Sequence, residues 1–111
     1  MKLEDYFKIN GTYELIDGVY NVDGDVRLKK DVDKLPVKFG KVSRQFHCFS
    51  NELKTLEGSP ISVGGDFYCA DNKLTSLEGC PTFVDGGFYC EYHLKRTKEY
   101  RQYLIMKKLR K

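Results

Sequence analysis

Cysteine and histidine carry most of the reactive chemistry available to this chain: Cys48, Cys69, Cys80 and Cys90, with His47 and His93. A zinc site would want tightly spaced pairs such as CxxC, and none occurs, so neither a metal nor a cofactor is expected. Cys48, Cys69 and Cys90 instead stand 21 residues apart, twice over. A nucleophile–base pair is not expected either. His47 adjoins Cys48, and neighbours on a strand point to opposite faces. Gly64-Gly65 and Gly86-Gly87 do not match a phosphate loop opening a helix, and the carboxylates are scattered along loops. The expectation is a non-enzymatic chain whose cysteines are structural thiols, small hydrophobes directed inward. A disulfide between stacked cysteines is sterically conceivable, and a cytosolic setting argues against it.

Binding chemistry is better represented. In Phe67-Tyr68-Cys69 the alternation of a strand sends Phe67 and Cys69 one way and Tyr68 the other. Carried along the cysteine spacing, this places Arg27, His47, Tyr68 and Tyr89 in one outward column. Asp25, Gln45, Asp66 and Gly87 flank it on one side, and Lys29, Phe49, Ala70 and Glu91 on the other. Aromatic rings on a rigid sheet, with arginine at one end, have the composition of a protein-binding hot spot. The plainer reading is cross-strand stacking that only stabilises the sheet. Arg27, His47, Phe49, Tyr68 and Tyr89 are the predicted partner contacts.

The charge is divided. Residues 1–93 hold 11 Lys/Arg against 15 Asp/Glu, whereas residues 94–111 hold eight Lys/Arg against Glu99 alone, so an acidic body (−4) carries a basic tail (+7). Lys95, Arg96, Lys98, Arg101, Lys107, Lys108, Arg110 and Lys111 could line phosphates, with Tyr100 or Tyr103 stacking on bases. The same cations also suit the C-terminal end of a helix, where they meet its dipole favourably.

The elements that position these residues follow from the repeat. Residues 48–68 laid over 69–89 give 11 identities in 21 positions, among them Asn51/Asn72, Leu53/Leu74, Leu56/Leu77, Pro60/Pro81 and Val63/Val84. A fixed period of this size indicates a solenoid, in which one coil cannot bury its apolar edge without the next. Val32, Leu35 and Val42 extend the register backwards by 21, and Val22, Val26 and Leu28 extend it again by 20, giving nearly four coils. Asn10-Gly11 and Asp17-Gly18 are hairpin dipeptides, so residues 1–21 should form an antiparallel β cap before the coils of 22–91. Residues 92–111 lack Gly and Pro and should form a closing helix. Tyr92, Tyr100, Tyr103 and Leu104 would share its packed face. Leu94, Ile105 and Leu109, with Met106 beside them, would form a spare face for a homodimer or partner contact. No apolar run approaches a membrane span, and the amino terminus lacks a signal peptide's apolar stretch, which points to the cytosol.

The segments Phe46-x-Cys48-x-x-Asn51-x-Leu53 and Phe67-x-Cys69-x-x-Asn72-x-Leu74 resemble the LxLxxNxL segment of leucine-rich repeats, with Phe and Cys in leucine positions. The phrase Leu74-Thr75-Ser76-Leu77-Glu78-Gly79-Cys80-Pro81, followed by Val84 and Gly86-Gly87-Phe88-Tyr89-Cys90, is similar to a variant common in small tailed-phage proteins. The resemblance covers residues 22–90. It implies a β-rich α/β solenoid, a right-handed coil with a short parallel sheet. It also implies an asparagine ladder of Asn51 and Asn72 inside the coil beside Cys48, Cys69 and Cys90. Functionally it implies a protein-binding surface, as in a phage-encoded factor that inhibits or redirects a host defence protein in the host cytosol. After Cys90, His93 and Lys95 stand where Asn and Leu would be expected, and the repeat ends there.

Overall fold

The computed structural model describes residues 2–49 and 52–109, so expectations for Asn51, Arg110 and Lys111 lie outside the described residues. A short helix, α1 (Leu3–Tyr6), leads into a hairpin of β1 (Phe7–Ile16) and β2 (Val19–Leu28). Six shorter strands follow: β3 (Lys38–Val42), β4 (Phe46–His47), β5 (Ser62–Val63), β6 (Phe67–Tyr68), β7 (Phe83–Val84) and β8 (Phe88–Tyr89). A 3-10 turn (Tyr92–Arg96) and helix α2 (Lys98–Leu109) complete the chain.

The strands form one sheet in the order β7-β5-β3-β2-β4-β6-β8, parallel except where β1 pairs antiparallel with β2. Each coil after β2 therefore contributes two strands, one to each ladder. The long β2 starts both ladders: Val22 pairs with Val42, and Val26 with Phe46. Beyond β2 the molecule is a β-solenoid of about three turns; the nearly four coils expected from the sequence count β2, which belongs to the hairpin, as the first.

The interior is a run of rings and branched aliphatics. Phe7 meets Phe39 at 5.0 Å, Phe39 meets Phe46 at 5.3 Å, Phe46 meets Phe67 at 5.8 Å, and Phe67 meets Phe88 at 5.1 Å between centroids. Val42, Val63 and Val84 line the other ladder, and Leu53, Leu56, Leu74 and Leu77 close the far side, all buried. Fully burying one such side chain stabilises the fold by about 1.5–3 kcal/mol, which one coil cannot obtain without its neighbour.

The hairpin corrects one expectation. Asp17 (φ 53°) and Gly18 (φ 78°) make the turn, but Asn10-Gly11 does not. Gly11 instead sits inside β1 opposite Gly24 of β2. Their φ values of 135° and 149° suit only glycine, and a Cβ on either would overlap the other strand's backbone.

The closing segment is also not one helix. Thr97 is extended, its hydroxyl donates to the Leu94 carbonyl at 2.8 Å, and it accepts from the Tyr100 amide at 3.3 Å. The threonine thus ends the 3-10 turn and caps α2, rotating the two segments relative to each other. Leu94, expected on a spare face, is buried under the last coil, while Tyr92, expected on the packed face, is 80% exposed. Tyr100 and Tyr103 do pack, at 5.7 and 5.2 Å from the Phe88 ring, and close the solenoid; Leu104 is exposed. Among the described residues no helix is long and apolar enough to cross a membrane.

Candidate functional site

The outward column is assembled by register alone. Arg27 pairs with His47, His47 with Tyr68, and Tyr68 with Tyr89, while their neighbours Val26, Phe46, Phe67 and Phe88 point into the core. Parallel strands lie about 4.8 Å apart, close to the stacking distance of flat rings. His47 stacks on Tyr68 at 4.1 Å with a 28° tilt, and Tyr68 stacks on Tyr89 at 4.7 Å and 9°. Phe49, 42% exposed, flanks the stack at 5.8 Å from His47 and 5.9 Å from Tyr68.

The corner residues fix these rings. The Tyr68 hydroxyl donates to Asp66 Oδ2 at 3.0 Å, and Asp66 Oδ1 accepts the Gly87 amide at 2.7 Å. One coil earlier, His47 Nε2 lies 2.9 Å from Gln45 Oε1, and the Gln45 amide donates to Asp25 Oδ1 at 3.0 Å. Burial and then the Asp66 hydrogen bond push the Tyr68 phenol above its ordinary range, so it remains a hydroxyl. Partial burial, reinforced by Arg27, holds His47 below its ordinary value and favours the neutral ring.

Lys8 also belongs to this column. It pairs with Arg27 across the hairpin, and both line a cleft of about 590 Å³ with Asp25, Lys29, His47 and Phe49. Counting outward from the Asp17-Gly18 turn gives this pairing; reading Asn10-Gly11 as a second turn concealed it.

The thiols face the other way. Cys48, Cys69 and Cys90 are buried in one column, and all four cysteines are free. Burial pushes Cys48 up to about 12 and Cys80 and Cys90 each up to about 11, with Cys69 raised as well. Such thiols are poor nucleophiles. Beside them, Asn72 Nδ2 donates to the carbonyls of Cys48 at 2.7 Å, Cys69 at 3.1 Å and Ala70 at 3.3 Å, and its Oδ1 accepts the Leu53 amide at 3.2 Å. No group of His, Cys, Asp or Glu among the described residues is placed to hold a metal ion.

The basic helix is only partly free. Lys107 donates to the Gly86 carbonyl at 2.9 Å and to the Tyr103 hydroxyl at 3.1 Å, so this ammonium ties α2 to the last coil and is not a free phosphate contact. Lys95, Arg96, Lys98, Arg101 and Lys108 are exposed. Of the expected spare face, Ile105, Met106 and Leu109 are exposed, and Met106 also lines a groove of about 540 Å³ between α2 and the last coil. No protein family, curated protein or solved structure matches this chain, so the site is interpreted from its own geometry.

Proposed function

We propose that the protein is a non-catalytic binding scaffold of the leucine-rich-repeat type, a right-handed β-rich α/β coil, that grips a protein partner through the column Arg27, His47, Tyr68 and Tyr89 with Phe49. The ring stack carries this reading. Because His47, Tyr68 and Tyr89 stack on one another along the solenoid axis, the faces between them are covered, Tyr68 on both sides, and edges and polar tips meet solvent. Bases cannot intercalate along such a ladder, which argues against a single-stranded nucleic-acid platform. Edges, hydroxyls and an arginine on a pre-ordered surface suit a protein interface, since little side-chain freedom remains to be lost on binding. The outward His47 and inward, weakly acidic Cys48 support a role without nucleophilic catalysis.

The sequence resemblance extends the proposal to a phage-encoded factor that occludes or redirects a host defence protein in the host cytosol. The alternative is nucleic-acid binding by the exposed cations Lys95, Arg96, Lys98, Arg101 and Lys108. Affinity capture from host lysate separates the two. A protein retained at about 0.5 M salt, where exposed charge pairs are screened, and lost at least about thirtyfold with Tyr68→Ala/Tyr89→Ala supports the scaffold. Retention unchanged by the double substitution refutes the column. Captured nucleic acid that disappears with salt and on removal of residues 95–111 supports the alternative.

A further inference from the structure

We propose that the chain forms a two-fold homodimer in which the open edge of β1 pairs antiparallel with β1 of a second copy, centred on Gly11. Among the described residues, β1 pairs with β2 on one side only. The bonds of β2 reveal where the β1 amides point. The Gly24 amide donates to Ser43 Oγ at 2.8 Å, and the Gly24 carbonyl accepts from Arg44 at 3.1 Å. The Val22 carbonyl accepts from Ser43 at 3.0 Å, and the Val26 amide donates to the Gln45 carbonyl at 2.9 Å. These residues turn away from β1, so their partners Tyr13, Gly11 and Ile9 occupy non-hydrogen-bonded pairs. Residues in such pairs direct their own N–H and C=O to the opposite edge, here the open one. Every residue from Asn10 to Ile16 is exposed.

A long exposed edge is a template for another strand, and the sequence of β1 complements itself. Only registers that pair odd-numbered with odd-numbered residues join the outward amides. The register centred on Gly11 sets Lys8 of each copy against Glu14 of the other, at both ends of the ladder. It also sets Ile9 against Tyr13, both on the core-directed face, as their β2 partners Val26 and Val22 show. The ladder stops short of Phe7, whose amide already donates to the Leu3 carbonyl of α1. Tyr13, 39% exposed, gains apolar cover from Ile9. A shift by two residues in either direction leaves Lys8 facing Thr12 or Ile16, so charge selects the register.

Sedimentation equilibrium of the full chain tests this. Wild-type protein should associate to a dimer, and Lys8→Glu or Glu14→Lys should each weaken it roughly tenfold or more, because two like-charge contacts replace two favourable ones. Both side chains are exposed, and circular dichroism checks that each variant is folded. The double variant Lys8→Glu/Glu14→Lys should recover wild-type association. A wild-type chain that stays monomeric into the high-micromolar range overturns the proposal, as does a single variant that associates like wild type or a double variant that does not recover.

Discussion

Asn72→Ala should destabilise the fold by about 2–3 kcal/mol. The amide side chain bridges two coils: it accepts the Leu53 amide and donates to the Cys48 and Cys69 carbonyls. Leu53, Cys48 and Cys69 are buried, so removing Asn72 leaves one amide and two carbonyls without this partner. Each unsatisfied buried group costs about 1–3 kcal/mol, and the half-exposed position of Asn72 lets water recover part of that. With a urea slope of about 1–3 kcal/mol/M, the unfolding midpoint should fall by about 1–2 M. Asn72→Asp sharpens the test. Its carboxylate can still accept from Leu53 but would repel the two carbonyls, and only the protonated acid can donate to them. The folded state therefore raises this carboxyl's pKa. The stabilisation is fully present below the unfolded value of about 3.9 and is lost as pH rises through the folded pKa. Stability of Asn72→Asp relative to wild type should thus improve on acidification. A midpoint shift below about 0.3 M for Asn72→Ala, or an Asp variant whose relative stability is flat with pH, refutes the bridging role.

Two further outcomes follow from the same structure. At pH 8 the folded protein should react slowly with a thiol reagent, Cys80 leading because it is the one cysteine not fully buried, while all four should react rapidly in urea; mass spectrometry that finds Cys48 and Cys69 modified at similar rates in both states would contradict the inward column. His47 should titrate below its ordinary 6.5 by NMR, so its contribution to stability is present above that value and lost as pH falls through the folded pKa; Arg27→Gln should move the titration upward, and an unmoved or lowered value would remove Arg27 from its environment.

Much of this architecture was legible in the sequence because a solenoid writes its register into the chain. Val26, Phe46, Phe67 and Phe88 fall in one column by spacing alone, and the ladder pairings reproduce it, including the 20-residue first step. What spacing could not supply was anything settled by backbone conformation between two distant segments. Asn10-Gly11 has the composition of a turn, and only its juxtaposition with Gly24 reveals a paired glycine inside a strand. Helical periodicity ran through Thr97 because threonine is tolerated in helices. Its side chain here competes for backbone groups at both neighbouring segments, and the resulting break sends Leu94 into the core. The outward column was visible as a list of residues; its ring geometry was not, since stacking depends on the close matching of strand spacing and side-chain rotamer.

The acidic character of the body acquires a different meaning from these contacts. A surplus of carboxylates suggests a surface made to attract cations, yet several sit at coil corners accepting hydrogen bonds from the next coil. Asp25 accepts the Gln45 amide, Asp66 the Gly87 amide, and Asp23 the Ser43 hydroxyl. At a different position of the same strand, the neutral Asn21 Oδ1 accepts the Lys41 amide at 2.9 Å, so a bond of this kind requires an acceptor and not a charge. Three of the body's carboxylates, Asp23, Asp25 and Asp66, therefore maintain the corners. Asp66 couples this structural role to the surface, because its second oxygen accepts the Tyr68 hydroxyl. The same carboxylate that joins two coils thereby fixes the central ring of the outward stack, and a corner built for stability sets the geometry of the exposed rings.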